Sequence, residues 1–361
     1  MSSEATNIAP DKPRIVFLDY LRVISCLMVI IVHACEFYYI GDSGVEFALP
    51  GDRFWVSLVN SAFRESVPLF VMASSFLLVP LTCGTRQFFR RRFSRVFVPF
   101  MIWSVLYAVL PVLTGTVEGD IPERLCNLTH TFNYDAGHLW FIYMLIGVYL
   151  TMPIISPWLR QVSKRGEEAF LAIWAVTTLW DYLYPSLGNI WGKALWNEFH
   201  ALYYFSGFIG YVVMAHYIRE HVHWSMRRTL AVSLPLIAVG YAVTAGLFYI
   251  RSRVSCDYSY VEQPWKFCTF NVAMLTAGCF LLMRKINYTG RWLYAPVQSI
   301  SRLSYGVYLM HIFVLGIMYR WLAPMLSTPV SIALTGILTF AICCVVCKAL
   351  SYIPGSKWLI G

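Results

Sequence analysis

RIVFLDYLRVISCLMVIIVHACEFYYI, residues 14–40, decides the architecture. About 20 apolar residues in a helix cross a bilayer core of about 30 Å, so this run reads as a membrane span. It is not uniformly apolar. Arg22 and His33 stand inside it, and ionisable groups within a span are costly unless they face a protein or water-filled interior. Their sequence separation places them about 16 Å apart along the helix axis. It is also close to three whole turns, so both point to about the same face. One helix therefore offers a fixed cation near its start and a titratable base near its far end. That arrangement suits a ligand threaded lengthwise through the membrane, phosphate first.

Composition extends this reading to the whole chain. The 361 residues are 58% hydrophobic and only 13% charged, more apolar surface than a soluble chain of this size could hide. The expected fold is an all-α integral membrane protein, a polytopic bundle of about ten transmembrane helices. The spans are drawn at about 15–40, 54–81, 93–114, 138–157, 169–186, 199–218, 229–250, 266–283, 297–320 and 328–352. Sorting Lys and Arg by alternating side gives about 19 against 8, with Arg22 left inside the membrane. The positive-inside rule then places both termini in the cytoplasm. The division that follows is a cytoplasmic tail (1–14), a transmembrane domain (15–352) and a second cytoplasmic tail (353–361). No cleavable signal peptide is visible in the sequence. The formal net charge of +9 would suggest nucleic acid in a soluble protein. Here it lies in short loops between spans, where orientation and anionic ligands or lipids explain it, and no nucleic-acid partner is expected.

Ten cysteines are present. Most lie in apolar runs, where cysteine behaves as a small hydrophobe. Cys344-x-x-Cys347 lacks the second ligand pair of a metal site, and no metal is expected. Cys126 and Cys256 fall in outer loops; nothing else in the sequence supports a bridge between them.

Several residues can carry chemistry. His33 suits a general base, with Glu36 three residues on to fix its tautomer and stabilise the imidazolium. Arg22 can pair with Asp19 at i, i+3, or stand free as an anion anchor. RQFFRRRFSRVFVPF, residues 86–100, holds five arginines, of which Arg92 and Arg95 sit at the start of span three, where two guanidiniums could grip a polyphosphate. FRESVPLFVMASSFLL, residues 63–78, places Glu65 near the outer end of span two, a second carboxylate able to orient His33, and Ser74 among small residues. His138 opens span four; Tyr305, Tyr308 and His311 lie in span nine. For His138 and His311 a structural hydrogen bond competes with a catalytic role. Ser74, Tyr305 and His138 are candidates for stabilising an oxyanion.

Taken in order, these blocks resemble the membrane-bound acyltransferase 3 family of O-acyltransferases. LDYLRVISCLMVIIVH is similar to its first-helix pattern of Arg, ten residues, then His. VPLFVMASSFLL, RRFSRVFVPF, HLWFIYML and LSYGVYLMH resemble its later motifs, in the expected order along nearly the whole chain. One departure is Ser75, where the family's second-helix motif usually has glycine. The resemblance implies transfer of an acyl group, acetyl by family frequency, from cytoplasmic acyl-CoA to a hydroxyl of an extracytoplasmic or lipid-linked carbohydrate. It implies His33 as the catalytic base and Arg22, Arg92 and Arg95 as the donor-binding set. The cell's inner, cytoplasmic membrane is the expected location and membrane lipids the surrounding partners. The sequence leaves the oligomeric state open, a homodimer included. The rival class is a transporter or flippase for a polysaccharide or lipid-linked glycan, which intramembrane charges would serve equally well. Inverted repeats and paired broken helices, its usual pointers, are not evident in the sequence.

Overall fold

The computed structural model describes residues 14–189 and 191–361; the expected tail up to residue 13, with Lys12, and Ile190 lie outside the described residues. Among the described residues the chain is helical, without a strand and with two isolated bridges. In chain order the helices are α1 (Val16–Glu36), α2 (Asp52–Ser61), α3 (Ser66–Leu78), α4 (Thr85–Arg92), α5 (Val98–Leu113), α6 (Ile121–Asn127), α7 (Trp140–Gln161) and α8 (Lys164–Thr177). They continue with α9 (Trp180–Leu187), α10 (Ile209–His221), α11 (Met226–Arg251), α12 (Tyr258–Val261), α13 (Phe270–Met283), α14 (Arg291–Leu322), α15 (Thr328–Leu350) and α16 (Lys357–Ile360).

Among the described residues seven segments are long and apolar enough to cross a membrane: Val16–Glu36, Thr85–Leu113, Ala136–Gln161, Met226–Arg251, Gln263–Met283, Arg291–Met325 and Thr328–Leu350. This is an all-helical, multi-pass membrane protein. The other three expected spans are not single long helices, and each has its own cause. The span drawn at 54–81 is α2 and α3, separated by a turn at residues 62–65. Pro68 has no N–H for the carbonyl of residue 64, so the helix loses a bond where Arg64 and Glu65 turn inward. The span at 169–186 breaks after α8, where the carbonyl of Thr178 accepts the backbone N–H of Phe270 at 3.1 Å. The span at 199–218 shortens to α10, preceded by Gly207 at φ 77°, a conformation that favours glycine.

Helix α1 is the axis of the site. It packs against α2, α3, α14 and α15. Its start is pinned by Asp19, a buried carboxylate that accepts Arg14 Nε at 2.6 Å, an Arg14 Nη at 2.8 Å, Ser301 Oγ at 2.7 Å and Tyr294 OH at 2.9 Å. Away from α1, α11 and α13 lie close enough that a Cβ on Gly240 would stand 2.6 Å from the Asn271 carbonyl oxygen. Small residues at such contacts let helices in a membrane approach closely. Helix α4 runs into α5 through a π-helical turn, Phe93–Phe97. Pro99 cannot donate to the carbonyl of residue 95, and the wider turn absorbs the missing bond.

Candidate active site

His33 sits in the last turn of α1. Its Nδ1 lies 2.9 Å from Glu36 Oε1. The ionised Glu36 carboxylate can only accept, so Nδ1 carries a proton, and in the neutral imidazole Nε2 then keeps its lone pair. The ring borders a cavity of about 270 Å3 whose polar walls are His33, Glu36, Tyr39, Arg64, Ser66, His138, Glu262 and Tyr308.

Two further imidazoles close on the same point. His138 comes from the 3-10 turn Tyr134–Leu139 that leads into α7, and His311 from the middle of α14. Ring centroids stand 6.4 Å apart for His33 and His138, 5.3 Å for His33 and His311, and 5.0 Å for His138 and His311. Tyr308 fixes both newcomers. Its hydroxyl donates to the His138 carbonyl, and its own carbonyl accepts His311 Nδ1 at 2.5 Å. Among the described residues none makes a hydrogen bond of good geometry with the buried ring nitrogens of His138 or with Nε2 of His311.

A second cavity, about 460 Å3, shares Arg64, Glu262 and Phe267 with the histidine cavity and has Asp181 and Lys266 in its wall. Asp181 and Lys266 form an exposed ion pair at 3.2 Å. Arg64 stands where the two spaces meet, its Nε donating to Asn60 Oδ1 at 2.5 Å and its guanidinium 4.2 Å over the Trp265 ring. Burial pushes the Glu262 carboxyl above the usual carboxylate range, against the pull of Arg64.

At the other end of α1, Arg22 does not pair with Asp19 as its spacing allowed. Asp19 is already engaged by Arg14, which lies before the helix and folds back onto it. Among the described residues none accepts a hydrogen bond from Arg22. Arg22 lies within electrostatic reach of Arg92 and Tyr149, which together line a narrow crevice. Arg92 Nε is buried without a partner, whereas Arg95, beyond the start of the π turn, is exposed.

A family model described as an acyltransferase domain, of the acyltransferase 3 type, matches residues 15–348. The chain belongs to the acyltransferase 3 family. Comparison with curated proteins and with solved structures gives no match.

In this acyltransferase, the candidates named from the sequence divide by position. His33, Glu36 and His138 border one cavity, with His311 against the two histidine rings. Glu65 does not join them. The turn at 62–65 directs it to α13, where Oε1 receives the Cys279 thiol at 3.6 Å and Oε2 has no partner. Among the described residues the carboxylate on His33 is therefore Glu36 alone. Ser74, half-buried on α3, is not in the cavity wall. Tyr305 lends its hydroxyl to the Val96 carbonyl at 2.7 Å. Cys126 and Cys256 are both free. Among the described residues no group of His, Cys, Asp and Glu is arranged to hold a metal ion.

Sequence reasoning missed Arg64 and Glu262 as cavity residues. Arg64 is adjacent to Glu65 in a drawn span, and a charge beside a charge inside a membrane was the available signal. Glu262 carried none, since it reads as one of several outer-loop acids.

Proposed function

We propose that this acyltransferase moves an acyl group, acetyl being the family's commonest, from acyl-CoA to a hydroxyl of a carbohydrate or lipid-linked glycan. The observation that carries the reading is the 2.9 Å bond from His33 Nδ1 to Glu36, on the helix whose opposite end holds the unpaired Arg22. The bond leaves Nε2 as a base facing a cavity, as a carboxylate does for the histidine of a hydrolase triad. Arg22, Arg92 and Arg95 supply charge for the phosphates of coenzyme A, whose pantetheine arm then runs along α1 toward His33. The acceptor comes from the opposite side, through the space shared by Arg64 and Glu262. The acceptor hydroxyl gives its proton to His33 Nε2 as its oxygen attacks the thioester carbon. The C–S bond then breaks, and the departing thiolate takes that proton. Transfer is direct, in a ternary complex.

The topology belongs to the same proposal. The basic end faces the cytoplasm with both termini, in the cell's inner membrane. The two-part segments α2–α3 and α8–α9, with α10, complete ten crossings.

The test is transfer of label from radiolabelled acetyl-CoA to membrane glycans of the source cell, by purified protein in lipid. Wild-type transfer that is lost in a folded His33→Ala variant supports the proposal. Undiminished transfer in His33→Ala removes His33 as the base. Absence of both coenzyme A binding and transfer in the wild type, with the right glycans present, overturns the enzyme reading in favour of glycan transport.

A further inference from the structure

We infer that His138 is the hydrogen-bond donor that holds the thioester oxygen as it becomes an oxyanion. The inference rests on the acyl-transfer reading of the His33 cavity. An imidazole always carries at least one N–H. In His138 both ring nitrogens are buried, neither makes a hydrogen bond of good geometry although the Leu309 carbonyl lies in loose reach, and the residue is 3% exposed. Buried polar groups are nearly always hydrogen-bonded, so a donor left open in the wall of a cavity is reserved for what enters that cavity.

The sequence offered two other side chains for the role, and the structure removes both. The Tyr305 hydroxyl is committed to the Val96 carbonyl, and Ser74 lies outside the cavity wall. His138 is also held still. The Tyr308 hydroxyl anchors its carbonyl, and Tyr107 meets its ring edge-on at 5.0 Å between centroids. A donor fixed before the reaction stabilises developing charge without reorganising.

The separation from His33 suits a shared reacting carbon. Their ring centroids are 6.4 Å apart, so a reacting carbon lying beside both rings can offer its attacking oxygen to one imidazole and its carbonyl oxygen to the other, each at about 2.8 Å. As the hydroxyl oxygen bonds to the thioester carbon, its proton goes to His33 Nε2 and the carbonyl electron pair moves onto the oxygen facing His138. When that pair returns, the C–S bond breaks and the thiolate takes the proton from His33, leaving an ester and free coenzyme A.

The test uses the full chain in lipid with acetyl-CoA carrying a 13C carbonyl, read by difference infrared spectroscopy without acceptor and by steady-state transfer with it. In wild type and in His33→Ala, the carbonyl band of bound thioester is expected below its position in apolar solvent. In His138→Leu it should return there with coenzyme A still bound. kcat should fall about 10²-fold with KM for acetyl-CoA within about twofold, and His138→Gln, which keeps an N–H, should recover most of the loss. An unmoved band with wild-type kcat in His138→Leu overturns the inference and leaves the base assignment of His33 standing. If His138→Leu does not fold, His138→Gln decides: a lowered band and substantial kcat uphold the donor, and a band at the apolar position with full kcat removes it. A wild type that neither binds acetyl-CoA nor transfers label overturns the inference together with the reading beneath it.

Discussion

The two ends of α1 carry the same device with opposite outcomes. Near its start Asp19 stands three residues before Arg22; near its end His33 stands three residues before Glu36. Asp19 is 1% exposed and saturated, accepting Arg14 twice and one hydroxyl each from Tyr294 and Ser301. Arg22 is left over. The Glu36 side chain keeps 34% of its exposure and, among the described residues, has one hydrogen-bond partner, the His33 ring at 2.9 Å. A carboxylate whose lone pairs are all used ties helices together. One that spends a single bond on an imidazole, beside a cavity, sets a tautomer. The difference lies in what other elements bring to each carboxylate, since the spacing within the helix is identical.

The sharpest way to break that contrast is at the exposed end. His33→Ala should lower acyl transfer by about 10³-fold or more while the thermal midpoint in detergent stays close to wild type; an active variant would make the His33–Glu36 bond structural, like the one at Asp19. Glu36→Gln keeps a hydrogen-bond acceptor for Nδ1–H but not the negative charge, and a drop of about 10²-fold in kcat is expected. A variant within twofold of wild type would show that Glu36 contributes no charge to the reaction.

The saturated end should answer in stability. Asp19→Ala removes four hydrogen bonds and leaves Arg14 without its partner, which should cost about 2–4 kcal/mol, read as a lowered melting temperature in detergent. Specific activity of the protein that remains folded should be little changed; a selective loss of turnover would place Asp19 in the reaction. Arg22→Gln should raise KM for acetyl-CoA about tenfold, roughly one charge-assisted contact, with kcat nearly constant and partial recovery in Arg22→Lys. An unchanged KM would show that the unpaired guanidinium serves something other than the donor. The smallest effect belongs to Glu65→Gln, expected to leave kcat within twofold, because its partner is Cys279 and not His33.

Hydropathy made much of the fold legible. The seven long apolar segments all fall where the sequence draws a span, since a continuous apolar run is written residue by residue. The segments that differ break for unlike reasons: Pro68 and Gly207 act locally, and one break comes from elsewhere in the chain. Thr178 gives its carbonyl to Phe270, a contact no local pattern announces. The Arg22-to-His33 spacing was legible for the same local reason. That Asp19 would choose Arg14 was not, because Arg14 lies just outside the helix, where backbone freedom rather than helical phase decides reach. Nor was the meeting of His33 with His138 and His311, which depends on how three distant segments pack. The motifs that resembled the family named those histidines one at a time; only the packed bundle gives the distances among them.

Tyr308 has a mechanical consequence. It grips His138 through its hydroxyl and His311 through its carbonyl, so one residue of α14 holds both rings. A slide or tilt of α14 against α1 carries the two imidazoles as a unit, changing their distance to His33 while their distance to each other stays nearly fixed. The site has in effect a single adjustable gap, and the packing between α1 and α14 sets its width.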